Sequence, residues 1–420
     1  MKKSFCFLAC ILLYTSCLKN DFPSDLRISS LSSLSGSAFT VITMRGSNFK
    51  ADPLLDTVKI NGVVATVQSA TTSSITFIVP FCNGSGNITI STPDATVSGP
   101  YFNYIKGPDV YVSGWGAVST TNFKNILKYW KNGIEVWVTD STYSAATSGG
   151  ISVINNDVYI LGRRDSGIYS VQKYWKNGIP LNISPGIIVN DAGLNAAVVA
   201  NNQFWKSGSG LPYTLSGAAT SVSIIGSDIY AAGGIVTPPP PGVSAAYTAY
   251  AAKFWKNAVL VPIQDLASTR TNSSWISSMA VSGTDVYLVG YNATGAAYWK
   301  NGIPTNLFTG SQNSYELTGV YAVGSDFYIC GYSTFNSPSN EIAVYWKNGN
   351  PIKLSDGKKE EYAMGITVVG NDVYVCGYEL FQTTNPTGIF RYAKVWKNGV
   401  PIILSNKGKW DYADGIFVKQ

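Results

Sequence analysis

From about residue 26 onward the chain carries short runs in which alternate residues are apolar, each broken by Gly, Asn, Asp, Ser or Pro. No long stretch has helical spacing. This alternation predicts strands joined by tight turns, and hence an all-β protein. The first group of runs covers residues 39–44, 58–63, 64–67, 74–79 and 87–91, with Pro80 closing one of them. Asn61-Gly62 stands between strand-forming residues, a hairpin signal, because both central positions of a type I′ turn need positive φ.

Beyond residue 106 the pattern repeats. Tyr-Trp-Lys-Asn-Gly occupies residues 129–133, 174–178, 298–302 and 345–349, with variants at 204–208, 254–258 and 395–399. Trp130, Trp175, Trp205, Trp255, Trp299, Trp346 and Trp396 are mostly 44 to 50 residues apart. Upstream of the Trp comes Asp-Val-Tyr-Val-x-Gly or a close variant, starting at Asp109, Asp157, Asp228, Asp285, Asp326 and Asp372. A further run such as 365–370 precedes that motif, and an Ile-Pro segment follows the Asn-Gly turn. Each repeat therefore reads as four strands, the expectation for a β-propeller blade. The length from 107 to 420 suits seven blades, with six as the alternative count, because the third repeat near 186–216 is degenerate.

The first repeat begins at Asp109 without a first strand of its own. The final residues 411–418 match 361–368, which precede the Asp372 motif. The C-terminal strand is thus expected to complete the first blade, closing the ring and hiding strand edges that would invite aggregation.

Composition narrows the chemistry. The chain has 26 Tyr, 11 Trp and 41 Gly, only 13% charged residues, and no histidine. The absence of histidine excludes Ser-His-Asp and Cys-His nucleophilic centres and every His-ligated metal site. The net charge of +6 is scattered, so no nucleic-acid partner is expected. No cofactor or metal motif is present, and a monomer is expected.

At the amino terminus Lys2 and Lys3 precede an apolar run over 5–13, too short to span a bilayer, followed by Thr15, Ser16 and Cys17. This arrangement resembles a bacterial lipoprotein signal, although Tyr14 stands where the family usually has Leu. The resemblance implies a cleaved signal over 1–16, acylation of Cys17, a tether over 17–25, and a place on the outer membrane or cell surface with only the lipid touching the membrane. The alternative is an ordinary secretory signal with an incidental cysteine. Cys330 and Cys376 hold the same place in two repeats and read as small buried residues; Cys82 reads as unpaired. A disulfide scaffold is not expected.

The turn 46–49 (Gly-Ser-Asn-Phe), the hairpin 60–63, the runs 75–80 and 86–90, and the closing Tyr-Phe-Asn-Tyr at 101–104 resemble the IPT/TIG family of immunoglobulin-like domains. The resemblance implies an immunoglobulin-like sandwich over 26–105, ahead of the propeller at 106–420, and suits a spacer.

Within the repeats, the Trp and Asn-Gly read as packing and turn residues, with a ring of sugar-stacking Trp as the alternative. Lys131, Lys176, Lys206, Lys256, Lys300, Lys347 and Lys397 read as a solvated rim. The opposite face carries the unlike loops 114–125, 233–250, 332–341 and 378–391, and function tends to sit on such loops. Just before the first strands stand Trp275, Tyr362 and Tyr412, with Tyr315 one residue out of register. These are the candidate ligand-binding residues, since sugars stack on aromatic faces and hydrogen-bond at their rims; the alternative is that they pack the loops. Three functions remain open. The first is non-enzymatic binding of glycan or extracellular protein by the loop face, and the second is adhesion or assembly by protein contact. The third is a propeller glycosidase or polysaccharide lyase. The acids of that face, Asp140, Asp265, Glu316, Glu341, Glu360, Glu361, Asp411 and Asp414, form no catalytic motif. No catalytic residue is assigned.

Overall fold

The computed structural model describes residues 25–117, 125–139, 145–165, 170–181, 203–204, 213–237, 249–264, 273–307, 313–335, 341–384, 387–405 and 410–420. Cys17 and the rest of the expected export signal lie outside this set, as do Asp140, Asp265, Trp205 and Lys206. The described residues form strands and turns without a helix, and they fall into two compact units that meet in sequence at Tyr104 and Ile105.

The first unit is a sandwich of two sheets. One has the order Arg27–Leu31, Val41–Ser47, Ser74–Ile78, Thr66–Ala70. The other has the order Ser35–Gly36, Thr96–Tyr104, Gly86–Ser91, Thr57–Ile60, Val63–Val64. Alternate residues point inward, so Ile42, Met44, Val58, Ile60, Ile75, Phe77, Ile88, Ile90 and Phe102 make one core. Full burial of each such side chain contributes about 1.5–3 kcal/mol. Asn61 and Gly62 have φ of 48° and 80°, the type I′ geometry expected of the hairpin. Gly46 is required sterically, because a Cβ there would lie 2.0 Å from the Arg27 carbonyl oxygen.

Among the described residues the second unit holds six four-stranded antiparallel sheets. Sheet one is Asp411–Lys419, Asp109–Ala117, Asn125–Lys131 and Ile134–Trp137. Sheet two is Ala145–Ile154, Asp157–Asp165, Ser170–Lys176 and Ile179–Leu181. Sheet three is Ala218–Ile225, Asp228–Thr237, Ala249–Lys256 and Val259–Val261. Sheet four is Trp275–Ser282, Asp285–Asn292, Gly295–Lys300 and Ile303–Asn306. Sheet five is Asn313–Val323, Asp326–Phe335, Ile342–Lys347 and Asn350–Lys353. Sheet six is Glu361–Val369, Asp372–Thr384, Thr387–Lys397 and Val400–Ile403. The degenerate third repeat contributes only the two-stranded pairing of Gln203–Phe204 with Tyr213–Thr214 among the described residues. Repeated four-stranded meanders of this kind are consistent with a β-propeller. Asp411–Lys419 pairs along its length with Asp109–Ala117, so the C-terminal strand does supply the first strand of sheet one.

The repeated motifs turn out to be a clamp. In each of the six sheets the turn Asn donates from Nδ2 to Oδ1 of the motif Asp, and its own Oδ1 accepts the N–H of the next residue, all at 2.7–2.9 Å. The turn Lys pairs with Oδ2 of the same Asp at 2.6–3.5 Å and lies 5.2–5.6 Å above the motif Tyr ring. These lysines are therefore already neutralised, which leaves a weak basis for anion binding on that face.

The six described repeat Trp residues are at most 3% exposed. Trp175, Trp299, Trp346 and Trp396 each sit in a core shared with the preceding sheet, as Trp346 does with Tyr287, Val289 and Ala296 of sheet four. Burial leaves no Trp face for a sugar, so the packing reading holds. Cys330 and Cys376 are free and fully buried, and Cys82 is free.

Two outcomes test this fold. Gly399 has φ of 83° and open space around its absent Cβ, so Gly399→Ala incurs only the left-handed backbone cost, about 1–2 kcal/mol. Ala258 occupies the same turn position at φ 64°, and Ala258→Gly shifts denaturant midpoints the other way by a smaller amount, since its methyl also packs on a core. Deleting residues 411–420 exposes the second strand of sheet one and should give an aggregated or unfolded product; a soluble, cooperatively folding deletion variant contradicts that role.

Candidate functional site

The first and second strands of a sheet meet in a fixed way. Each first strand bulges after its opening residues, between Gly415 and Ala413, Ile276 and Ser278, Leu317 and Gly319, and Ala363 and Gly365. Just before the bulge its carbonyl turns into the second strand at the glycine that ends the Asp-Val-Tyr-Val-x-Gly motif. A Cβ on Gly114, Gly290, Gly331 or Gly377 would stand only 1.8–2.0 Å from the carbonyl oxygen of Tyr412, Trp275, Glu316 or Tyr362. Glycine is the only residue that admits this approach.

The contact places one side chain from each strand side by side. Tyr412 faces Trp115, Trp275 faces Tyr291, Glu316 faces Tyr332, and Tyr362 faces Tyr378. In sheets three and two the same place holds Ala218 with Gly234 and Thr147 with Arg163, so the aromatic row spans sheets four, five, six and one. The rings run on from sheet to sheet. Tyr332 meets Tyr362 edge-on at 4.8 Å, Tyr362 stacks on Tyr378 at 4.6 Å, Tyr378 meets Tyr412 edge-on at 4.8 Å, and Tyr412 stacks on Trp115 at 3.9 Å. Arg391 lies over both Trp410 and Tyr412, about 5 Å from each ring. All of the row's rings are half-buried except Tyr291, which is exposed.

Two residues further along each first strand lies the lining of a cavity of about 290 Å³, formed by Gly149, Thr220, Ser277, Thr318, Met364 and Asp414. The hydroxyls of Thr220, Ser277 and Thr318 reach the carbonyls of Ile276, Leu317 and Ala363 in the next sheet, tying first strand to first strand beneath the row. Met364 cannot make this bond. Asp414 takes hydrogen bonds from the Ser148 N–H and the Trp115 indole, yet burial pushes its carboxyl up to about 8.

Of the residues expected from sequence, Tyr362 and Tyr412 are brought together, bridged by Tyr378. Trp275 holds the same register position two sheets away, edge-on to Tyr250 at 5.2 Å. Tyr315 does not join them. Its ring packs edge-on against the buried Trp346, and Glu316 takes the row position instead. Glu361 and Asp411 also depart from expectation: they turn inward beneath the row rather than lining the loop face. Lys394 reaches Glu361 at 2.8 Å and Glu379 at 2.9 Å, and Lys128 pairs with Asp411 and Glu135, all largely or fully buried. Desolvation raises the carboxyls of Glu361 and Asp411. On Glu379 desolvation acts in the same sense, but the charges and hydrogen bonds of Lys394 and Lys359 prevail and lower it. These pairs anchor the strand ends that carry Tyr362 and Tyr412.

Trp115, Tyr291, Tyr332 and Tyr378 were not anticipated. Their signal is an aromatic residue directly after the motif glycine, present in four repeats.

The row is graded in charge. Tyr362 donates its hydroxyl to Glu360 at 3.3 Å, and Glu341 lies near enough to act on the same phenol. Desolvation, then the nearby carboxylates Glu316 and Glu341, push the Tyr332 phenol up to about 12, and Tyr362 and Tyr378 are raised further. At neutral pH these phenols are hydrogen-bond donors, not bases. Glu316, Glu341 and Glu360 make one end acidic; Arg391 marks the other.

The Asp414 carboxyl gives a pH test. Its folded value lies above the unfolded one, so its stabilisation is complete below about pH 4 and is lost as pH rises through about 8. Asp414→Asn should therefore fall less in Tm than the parent between about pH 5 and about pH 9. Identical pH profiles would reject this burial of the acid.

Residues 26–104 match the IPT/TIG domain family. No curated protein matches the chain. Among solved structures, a protein of unknown function from Bacteroides thetaiotaomicron aligns over 95% of this chain and 96% of its own, at 11% identity and a TM-score of 0.32. An auxiliary nutrient binding protein from the same organism aligns over 88% and 86%, at 13% identity and a TM-score of 0.26. An acylaminoacyl peptidase of Pyrococcus horikoshii aligns over 91% of this chain and 52% of its own, at 9% identity and a TM-score of 0.30. Likenesses this distant carry no argument about function.

Proposed function

We propose that the repeat unit is a β-propeller that binds carbohydrate without transforming it, on the aromatic row at its variable-loop end. One observation carries this reading: half-buried rings from sheets five, six and one run on in one row, in register with a further pair on sheet four, above a cavity and flanked by carboxylates and a guanidinium. Rings offer flat apolar faces to the C–H side of a sugar, and phenols, carboxylates and Arg391 supply its hydroxyls with partners. The three Tyr phenols are protonated donors, which suits a binding rim better than a Tyr-based lyase. In this reading Cys17 carries the lipid that holds the protein at the cell surface, and the IPT/TIG module spaces the propeller from the membrane.

Affinity electrophoresis in gels containing a panel of polysaccharides tests it. The intact protein should be retarded by at least one. Tyr362→Ala and Tyr412→Ala should weaken retention about tenfold, equivalent to about 1.4 kcal/mol. Tyr315→Ala, which removes a packing ring, should lower Tm while retaining the ligand. If no polysaccharide retards the protein and a protein partner is captured instead, the adhesion reading replaces this one.

A further inference from the structure

The acidic end of the row differs from the rest in how its charge is met. In sheets six and one the acid at the start of the first strand is buried, and a lysine two residues before the repeat Trp answers it: Lys394 for Glu361, Lys128 for Asp411. In sheet five the corresponding third-strand residue is Val344 and the interior place is filled by Tyr315. The acid has moved one position, onto the row, as Glu316, where it is open to solvent. Among the described residues no lysine pairs with it.

Glu341 adds a second carboxylate. Its backbone carbonyl accepts the Glu361 N–H at 2.9 Å, which holds it beside Tyr362. Its Oε2 atom is out of water and has no hydrogen-bond partner. A carboxylate oxygen left buried and unpaired is unfavourable unless a donor arrives. The two acids feel each other: desolvation first, then the charge of Glu341, raises the Glu316 carboxyl. Among the described residues the nearby cations are engaged elsewhere. Lys394 holds Glu361 and Glu379, Lys359 holds Glu379, and Arg391 lies on Trp410 and Tyr412.

Rings flank this pair. Tyr332 stands opposite Glu316, Tyr362 lies edge-on to Tyr332, and Tyr291 holds the matching row position on sheet four, its phenol raised by desolvation first and then by the Glu316 charge. Two carboxylates beside three phenol rings suit an organic cation, which gains both ion pairing and attraction to the ring faces. A hard divalent metal prefers six to eight oxygen ligands, and no group of three or more acids able to hold a metal occurs among the described residues.

We propose that Glu316 and Glu341, with Tyr291, Tyr332 and Tyr362, receive the protonated amine of an amino sugar, so that the row prefers a free hexosamine to its N-acetylated form. This rests on the carbohydrate reading of the same row. The intact protein is titrated calorimetrically with a glucosamine oligosaccharide and with the N-acetylated oligosaccharide of equal length, alongside the neutral polysaccharide panel. The free amine should bind about tenfold or more tightly than the acetylated form, and the isosteric pair Glu316→Gln with Glu341→Gln should abolish that preference. Equal affinity, a preference for the acetylated form, or a preference that survives both substitutions overturns the amine site. If neutral polysaccharides still bind in those cases, the carbohydrate reading stands and only the amine site falls; if no sugar of either kind binds, both fall.

Discussion

The structure of the repeat unit turns on one close approach, the carbonyl of a first-strand residue directed into the second strand at the motif glycine. With under 2.1 Å from that oxygen to any Cβ, no other residue type fits at Gly114, Gly290, Gly331 or Gly377. The bulge that follows restores the ladder and aims the next side chain at the cavity, where Thr220, Ser277 and Thr318 reach across to the neighbouring sheet. The same approach thus pairs the strands, sets the tie between sheets, and presents a pair of side chains at the rim. A row of rings in register follows from a backbone constraint repeated in sheets one, four, five and six.

Beneath the row, two solutions for the same interior place have opposite consequences. Glu361 with Lys394 and Asp411 with Lys128 bury compensated charge, which is costly to desolvate and more costly to break. Tyr315 with Val344 and Trp346 makes the place apolar. The apolar solution removes the built-in cation and moves the acid onto the row. Packing in sheet five and electrostatics at the rim are therefore one trade, and it makes the row unlike from end to end.

Much of this was legible in sequence because it is local. The Asn-Gly turn needs two positive φ values in adjacent residues, and Asn398 and Gly399 have them at 50° and 83°. The apolar residues clustered around each repeat Trp mark a strand packed in the interior, and the six described repeat Trp residues are buried. Of the aromatics that stand before the first strands, Trp275, Tyr362 and Tyr412 share one register position, and Tyr315, one residue out of register in the sequence, does not. The same bulge follows the row position in sheets one, four, five and six, so Glu316 rather than Tyr315 takes that place in sheet five. The second-strand rings Tyr291, Tyr332, Tyr378 and Trp115 were visible after the motif glycine, but their meaning depends on knowing what stands opposite.

The sequence by itself determined the all-β class, the repeat, its turns and the IPT/TIG module, since each follows from bonds and torsions within a few residues. Which acids are buried, which ring meets which, and where charge goes unanswered were decided only by tertiary structure. Glu361 and Lys394 are 33 residues apart, and Lys128 and Asp411 are 283 apart. Only the packing of strands brings such partners within a hydrogen bond, and a charge has no assigned role until its neighbours are known.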